Sequence, residues 1–147
     1  NLINVKLENA NILDLYSGVG SFGIECVSRG AKKSTFVEKD NKALIVLKQN
    51  LNNLKIEEYS EVFNEKTTLF FNRSDNKNKF EIIFFDPPFA ENSFIAELRT
   101  IKDSLIYRKK HLIIIHRESN SDDELEKKMN ILITRNYGRS KIIFGTF

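Results

Sequence analysis

The segment ILDLYSGVGSFG, residues 12–23, carries the clearest fold signal in this 147-residue chain. Its opening residues are apolar except for Asp14, which is typical of a short buried strand, and a glycine-rich turn follows at once. Residues 21–29 then predict a helix, because Phe22 and Cys26 lie one turn apart on the same side. A strand, a glycine turn and a helix in this order predict the first unit of an α/β fold.

The alternation of strands and helices continues along most of the chain. Further strands are predicted at residues 35–37, 61–63, 80–85 and 111–116, with helices between them at residues 41–52, 66–71 and 94–105. The last of these helices is expected to bury one apolar stripe, formed by Ile95, Leu98, Ile101 and Leu105. Such alternation indicates a mostly parallel sheet with helices on both faces. Only RNYGRS joins the last two strand-like segments, residues 131–134 and 141–147, and this is too short for a parallel crossover. We therefore expect one α/β domain over residues 1–147, with a doubly wound, mostly parallel seven-stranded sheet and an antiparallel C-terminal strand.

The composition excludes several classes of protein. Hydrophobic residues make up 41% and charged residues 29%, as in an ordinary globular domain. No apolar run approaches the ~20 residues of a membrane helix, and the first residues do not resemble a signal peptide. The single cysteine, Cys26, cannot form an internal disulfide or a cysteine metal cluster, so a cytoplasmic location without a membrane is predicted. A net charge of +3 permits a nucleic-acid partner without requiring one.

The glycine turn after the first strand predicts a nucleoside site. Gly18, Gly20 and Gly23 form a G-x-G-x-x-G pattern, and Glu38 ends the next strand about 20 residues later. Glycines let the backbone approach a ligand closely, and a carboxylate at this distance accepts hydrogen bonds from ribose hydroxyls. The alternative is a plain tight turn with Glu38 in solvent.

The glycine pattern alone does not choose between a dinucleotide and S-adenosylmethionine. Two features favour the methyl donor. Asp14 at the tip of the strand is suited to the charged amino-acid portion of a ligand, and an antiparallel last strand is unlike a standard dinucleotide sheet. A dinucleotide-dependent oxidoreductase is the disfavoured alternative.

The second motif is FFDPPF, residues 84–89, which holds both prolines of the chain. Adjacent prolines stiffen a loop that leaves the fourth strand at the ligand-binding edge of the sheet. The carboxylate of Asp86 and the carbonyl of Pro87 would accept the two hydrogens of an exocyclic nucleobase amine, and Phe89 would stack on the base. Asp86, Pro87, Pro88 and Phe89 are therefore the predicted catalytic residues. The alternative is an Asp that caps the next helix beside a core aromatic.

Together these motifs resemble a known family. The segment ILDLYSGVGSFGIECVSRGAKKSTFVEKDNKAL, residues 12–44, followed by DPPF, is similar to the bacterial RsmD-type guanine-N2 methyltransferases of 16S rRNA. The resemblance implies a Rossmann-like class I methyltransferase fold, S-adenosylmethionine as cofactor, and ribosomal RNA or the small-subunit particle as partner, with a monomer favoured. The cofactor residues that it implies are Asp14, Tyr16, Gly18, Gly20, Glu38, Lys39, Glu65 and Asp86.

Three points leave alternatives open. D-P-P-F also occurs in enzymes that methylate the adenine amino group of DNA or RNA. Family members have an Asp after the third strand that contacts the adenine, and here Glu65 or Asn64 must replace it. The chain begins at NLINV, which resembles the middle of a helix before the first strand, so we expect it to lack the basic N-terminal segment of the family. A cofactor-binding fragment with impaired catalysis is therefore a further alternative.

The remaining polar residues carry weaker predictions. A structural or surface role is expected for His111 and His116, rather than metal binding. Residues 122–128, DDELEKK, predict a solvated helix. Basic residues that either contact phosphates or lie in solvent are Lys32, Lys33, Arg108, Lys109, Lys110 and Arg117.

Overall fold

The computed structural model describes residues 5–73, 78–90 and 93–147. Within those ranges the strands are β1 (Asn11–Leu15), β2 (Lys33–Val37), β3 (Ser60–Phe63), β4 (Phe80–Phe85), β5 (Tyr107–Glu118), β6 (Asn130–Tyr137) and β7 (Ser140–Thr146). The α-helices are α1 (Ser21–Ser28), α2 (Asn41–Asn53), α3 (Thr67–Phe71) and α4 (Phe94–Ser104). None of the helices within the described ranges is long and apolar enough to cross a membrane.

The strands form one seven-stranded sheet in the order β3-β2-β1-β4-β5-β7-β6. The pairs among β1 to β5 are parallel, whereas β7 runs antiparallel to both β5 and β6. The sheet is therefore doubly wound with an antiparallel C-terminal strand, which confirms the predicted fold class. The strand order reverses between β1 and β4, the place where ligands bind in open α/β sheets.

Both faces of the sheet are covered by apolar side chains. The face towards α3 and α4 buries Leu13, Leu15, Ile83, Phe85, Ile113 and Ile115 in one core. The opposite face buries Ile12, Ile82 and Ile114 against Cys26 of α1, and Phe36 packs there against the leucines of α2. Burial on both sides explains the continuous apolar runs FEIIFF and LIII, because alternate residues enter different cores.

Two predictions about single elements are wrong. Strand β5 begins at Tyr107 rather than at residue 111, since pairing with β4 extends it. Residues 122–128 form no solvated α-helix; the segment contains a 3₁₀ turn at Leu125–Lys127, and it is held to the core because Leu125 is buried there and Asp123 pairs with the buried Arg117. The helix expected at residues 1–5 falls mostly on residues 1–4, outside the described ranges, so it stays a prediction; Val5 is in no helix.

The buried stripe of α4 also differs from the prediction. Phe94, Glu97, Leu98 and Ile101 are its buried residues. Leu105, which was expected on the stripe, ends the helix with a left-handed backbone (φ 56°) and is 60% exposed. The helix is therefore rotated so that a carboxylate, at Glu97, faces the sheet.

Candidate functional site

The glycine turn after β1 is held together by its own backbone and by the strand beside it. Gly20 has φ 90°, a left-handed conformation that favours glycine, and its N–H donates to the carbonyl of Ser17 at 2.9 Å. At Gly23 a Cβ would meet the ring of Phe36 in β2 and come within 3.2 Å of Asp14 Oδ2, so this position requires glycine for close helix–strand packing. The start of α1 therefore packs closely against β1 and β2.

Asp14 lies buried beneath this turn and is only 1% exposed. Its Oδ2 accepts a hydrogen bond from the Gly23 N–H at 3.0 Å. Its Oδ1 has no partner among the described residues, and neither does the buried hydroxyl of Ser17. Burial raises the pKa of Asp14 well above its usual value, and the charges of Asp86 and Glu38 add to this rise while the Gly23 N–H opposes it. A hydrogen-bond donor or a cation bound here would offset the free-energy cost of burying Asp14 Oδ1 without a partner.

Glu38 is fixed at the end of β2 by two backbone donors. Its Oε1 accepts from the Gly18 N–H and its Oε2 from the Asp40 N–H, each at 2.8 Å. A carboxylate has about four acceptor positions, so two remain for a ligand. The turn and the acid that the sequence linked by spacing are thus directly hydrogen-bonded.

A cavity of about 390 Å³ opens at the carboxyl ends of the parallel strands, within the range typical of small-ligand sites. Its wall includes the predicted cofactor residues Tyr16, Glu38, Lys39 and Glu65. The other predicted cofactor residues are not part of that wall and lie at the ends of β1 and β4: Asp14, Gly18, Gly20 and Asp86. The remaining wall residues are Val37, Lys66, Thr67, Thr68, Ser93, Ala96, Glu97 and Thr100.

Glu97 is a site residue that the sequence reasoning missed. It is 6% exposed, and the hydroxyl of Tyr16 donates to its carboxylate, lying 2.7 Å from each oxygen. Tyr16 has φ 58°, and such a left-handed backbone at a non-glycine residue is a form of strain that clusters at functional sites. The available signal was the spacing of Glu97 from Phe94 and Ile101, which places a carboxylate on the apolar stripe of α4.

Of the two candidates for the adenine contact, Glu65 lies in the cavity wall and Asn64 does not. Asn64 instead donates from its side chain to Asn41 at 2.9 Å. Glu65 accepts two hydrogen bonds from Arg73, at 2.7 and 2.8 Å, and the Arg73 guanidinium lies over the ring of Phe63. Arg73 therefore orients the Glu65 carboxylate, whose remaining acceptor positions can serve a ligand.

The Asp-Pro-Pro-Phe loop, residues 86–89, leaves β4 directly beside the glycine turn. Leu15 pairs with Phe85, and the Asp86 N–H donates to the Leu15 carbonyl at 3.4 Å. Pro87 is buried, while Phe89 is 40% exposed. The Asp86 carboxylate lies 2.8 Å from His116, and Ser93 rather than Asp86 precedes α4, so the reading of Asp86 as a helix cap is wrong.

Arg117 of β5 holds the Asp-Pro-Pro-Phe loop from the core side of the sheet. It is 1% exposed, and its guanidinium donates to the carbonyls of Pro88 (3.3 Å) and Phe89 (3.1 Å). The same group pairs with Asp123 at 2.9 Å and lies 4.5 Å from the centre of the Phe94 ring. The possibility that Arg117 contacts phosphates is therefore wrong, because odd-numbered residues of β5 point into the core with Ile113 and Ile115.

The two histidines have polar partners of their own. His111 is buried, with Nδ1 2.8 Å from the Arg108 carbonyl and Nε2 accepting from the Phe147 N–H at 2.9 Å. This is the structural role expected for His111. In the described part of the chain no three or more His, Cys, Asp or Glu side chains are grouped as metal ligands would be.

The sequence matches a known family and a named relative. A family model described as conserved hypothetical protein 95 matches residues 1–146. Ribosomal RNA small subunit methyltransferase D of Haemophilus influenzae is 38% identical over 109 residues, which are 69% of this chain and 56% of that protein. The chain thus spans little more than half the length of this relative.

Solved structures share the fold. A putative methylase of Haemophilus influenzae is 28% identical with a TM-score of 0.83, covering 95% of this chain and 88% of that one. A putative methyltransferase complexed with SAH is 15% identical with a TM-score of 0.80, covering 99% of this chain and 47% of that one. The architecture is therefore the Rossmann-like class I methyltransferase fold.

Proposed function

This chain belongs to the conserved hypothetical protein 95 family of RsmD-type methyltransferases, and on that premise we propose that it methylates the 2-amino group of a guanine in 16S rRNA. S-adenosylmethionine is the methyl donor. The observation that carries the proposal is the pairing of Leu15 in β1 with Phe85 in β4. It brings a turn suited to a nucleoside and a loop suited to an amine to the same edge of the sheet.

The residues of the glycine turn fit this cofactor. Asp14 Oδ1 and the Ser17 hydroxyl are buried without partners among the described residues, and an ammonium group is the kind of donor that would satisfy them. Glu38 keeps free acceptor positions for ribose hydroxyls. The cavity wall with Lys39 and Glu65 would receive the adenine part.

The Asp-Pro-Pro-Phe loop provides the chemistry on the target base. When bound, the cofactor supplies a methyl group that its sulfonium already activates. Asp86 and the carbonyl of Pro87 accept the two amine hydrogens, which directs the nitrogen lone pair at the methyl carbon. Asp86 would also take the proton that the nitrogen loses when its bond to the methyl carbon forms and the carbon–sulfur bond of the donor breaks, and would pass that proton to solvent. Phe89, 40% exposed, stacks on the base.

The proposal extends to the partner and the place of action. The relative from Haemophilus influenzae is named for the small ribosomal subunit, which supports ribosomal RNA or the small-subunit particle as the substrate. The cytoplasm, where such RNA is found, is the proposed location. Residues 1–147 act as one catalytic domain in this proposal.

A labelled-methyl assay tests the proposal. The protein is incubated with labelled S-adenosylmethionine and small-subunit rRNA from cells that lack the modification. We expect transfer by the parent and at least a hundredfold slower transfer by Asp86→Asn, because the acid side chain accepts a proton that the amide cannot. Asp103→Asn, an exposed position on α4, is the matched control and retains the parent rate.

Nucleoside analysis of the product then identifies the base. Methylguanosine supports the proposal, whereas methyladenosine assigns the chain to adenine amino methylation. Calorimetric titration with S-adenosylmethionine and with NAD tests the cofactor separately, and tighter binding of NAD would overturn the assignment. Full activity of Asp86→Asn would remove Asp86 from its proposed role.

A further inference from the structure

His116 lies at the point where β5 passes the Asp-Pro-Pro-Phe loop. The last paired residues of β4 and β5 are Phe85 and Ile115, so His116 stands beside Asp86 at the carboxyl end of the sheet. Its Nδ1 is 2.8 Å from Asp86 Oδ1. Its ring also meets the ring of Phe89 edge to face, with the centroids 5.3 Å apart. One side chain therefore contacts both of the functional side chains of the loop.

The hydrogen bond between His116 and Asp86 has a defined direction. A carboxylate accepts hydrogen bonds and does not donate them, so the hydrogen must lie on Nδ1 of the imidazole. Within the described ranges no other hydrogen bond reaches the Asp86 carboxylate, so Oδ1 is engaged by the ring and Oδ2 is left for another donor. The Asp86 side chain is 43% exposed, which leaves Oδ2 open to a ligand that enters from solvent.

A carboxylate held at one oxygen has fewer orientations than a free one. The terminal torsion of an Asp side chain is broad, so a hydrogen bond to Oδ1 narrows the range of positions available to Oδ2. The Phe89 ring packs against the same imidazole. The distance between the Asp86 carboxylate, which accepts the hydrogen bond, and the Phe89 ring, which stacks on the base, is therefore kept nearly constant. This is the kind of support from neighbouring residues that keeps a reacting group in its productive geometry.

We propose that His116 is a positioning residue for amine methylation: its Nδ1–H holds Asp86 Oδ1 so that Oδ2 accepts the hydrogen of the target amine. The inference rests on the function proposed above and deepens it. Arg117, the next residue, fixes the backbone carbonyls of the same loop from the opposite face of the sheet. His116 thus orients the side-chain carboxylate of Asp86, and Arg117 holds the main-chain carbonyls of Pro88 and Phe89.

Two variants of equal size isolate the hydrogen bond. His116→Asn places an amide N–H near the position of Nδ1, whereas His116→Leu has a similar shape without a donor. Both lose the ring contact with Phe89, so the difference between them reports the donor alone. We expect His116→Leu to lower kcat about tenfold, the effect of one orienting hydrogen bond to a charged acceptor, and His116→Asn to recover most of that loss.

The accompanying measurements separate positioning from general damage. The cofactor cavity does not include His116, so the calorimetric Kd for S-adenosylmethionine and the melting temperature are expected to agree between the two variants. Equal kcat values for His116→Asn and His116→Leu would overturn the inference while leaving the proposed function intact. Failure of the parent itself to transfer a methyl group would overturn the proposed function, and with it the role of His116.

A spectroscopic measurement tests the hydrogen bond without any activity. Nitrogen-15 chemical shifts distinguish the two neutral tautomers of a histidine ring. We expect the hydrogen of His116 on Nδ1, and His111 provides an internal reference because its Nε2 accepts from Phe147. A hydrogen on Nε2 of a neutral His116 would contradict the bond and therefore the inference.

Discussion

The two loops that meet at the edge of the sheet are stabilised in different ways. The glycine turn is held by residues close in sequence or on the adjacent strand, such as Ser17 and Glu38. The Asp-Pro-Pro-Phe loop is held by residues about thirty positions away on β5, and through Arg117 by Asp123 beyond that strand. A local turn can form as soon as its strand and helix do, whereas the second loop takes its shape only when the sheet is assembled.

The largest expected effect tests the distant support of the Asp-Pro-Pro-Phe loop. Asp123→Ala leaves the buried Arg117 guanidinium without its anion, and the side chains of this pair are only 2% and 8% exposed. We expect the free energy of unfolding to fall by about 3–5 kcal/mol in urea titration, as when one member of a buried ion pair is removed.

Methyl transfer by the folded fraction of Asp123→Ala is also expected to slow, since Arg117 holds the carbonyls of Pro88 and Phe89. The matched control is Asp103→Ala, an exposed carboxylate for which a change within about 0.5 kcal/mol is expected. A similarly small change at Asp123 would show that the loop does not depend on this distant pair.

The next effect tests the local packing of the glycine turn. Gly23→Ala places a Cβ against the ring of Phe36 and near Asp14. We expect a loss of about 1–3 kcal/mol in the free energy of unfolding, because the helix must move away from β2. A melting temperature equal to that of the parent would contradict the close helix–strand approach.

The smallest effect, taken per pH unit, tests the carboxylate of Asp14 that lies buried beneath the glycine turn. Burial raises the pKa of Asp14 above its value in the unfolded chain, so the native state binds this proton more tightly than the unfolded state does. The contribution of Asp14 to stability is therefore full below the ordinary Asp pKa of 3.8 and is lost as pH rises through the raised pKa. The amide of Asp14→Asn does not ionise, so this variant does not lose stability in the same way as pH rises.

Asp14→Asn is therefore expected to gain stability relative to the parent as pH rises above about 4, by at most about 1.4 kcal/mol per pH unit. Urea titrations of both proteins across the acid range measure this difference. The protein is kept free of added cofactor, which would bind near the same side chain. A difference that does not change with pH would show that Asp14 is not held in its neutral form by burial.

The same contrast explains which parts of the site were predictable. The link between Gly18 of the glycine turn and Glu38, now seen as a hydrogen bond, was predictable because a turn and its acid have a fixed spacing along one strand–helix–strand unit. Glu97 was missed because the stripe of α4 was assigned with Ile95 and Leu105 instead of Phe94 and Glu97. Arg117 was treated as a surface cation because charged residues are usually exposed. The groups that stabilise its buried charge are the Asp123 carboxylate and the carbonyls of the Asp-Pro-Pro-Phe loop, and the sequence pattern around Arg117 does not reveal these contacts.

The order of residues alone was enough to predict the alternation of strands and helices, the antiparallel hairpin at the C-terminus and the two motifs at strand ends. These features depend on local periodicity and on loop lengths, which a chain carries in its order of residues. The folded molecule was needed to show that His116 and Arg117 contact the Asp-Pro-Pro-Phe loop from opposite faces of the sheet, and that the Tyr16 hydroxyl donates to Glu97. Those contacts depend on the register between distant strands and on which face each buried polar residue occupies, because a polar group is stable inside a protein only where the fold brings its partner.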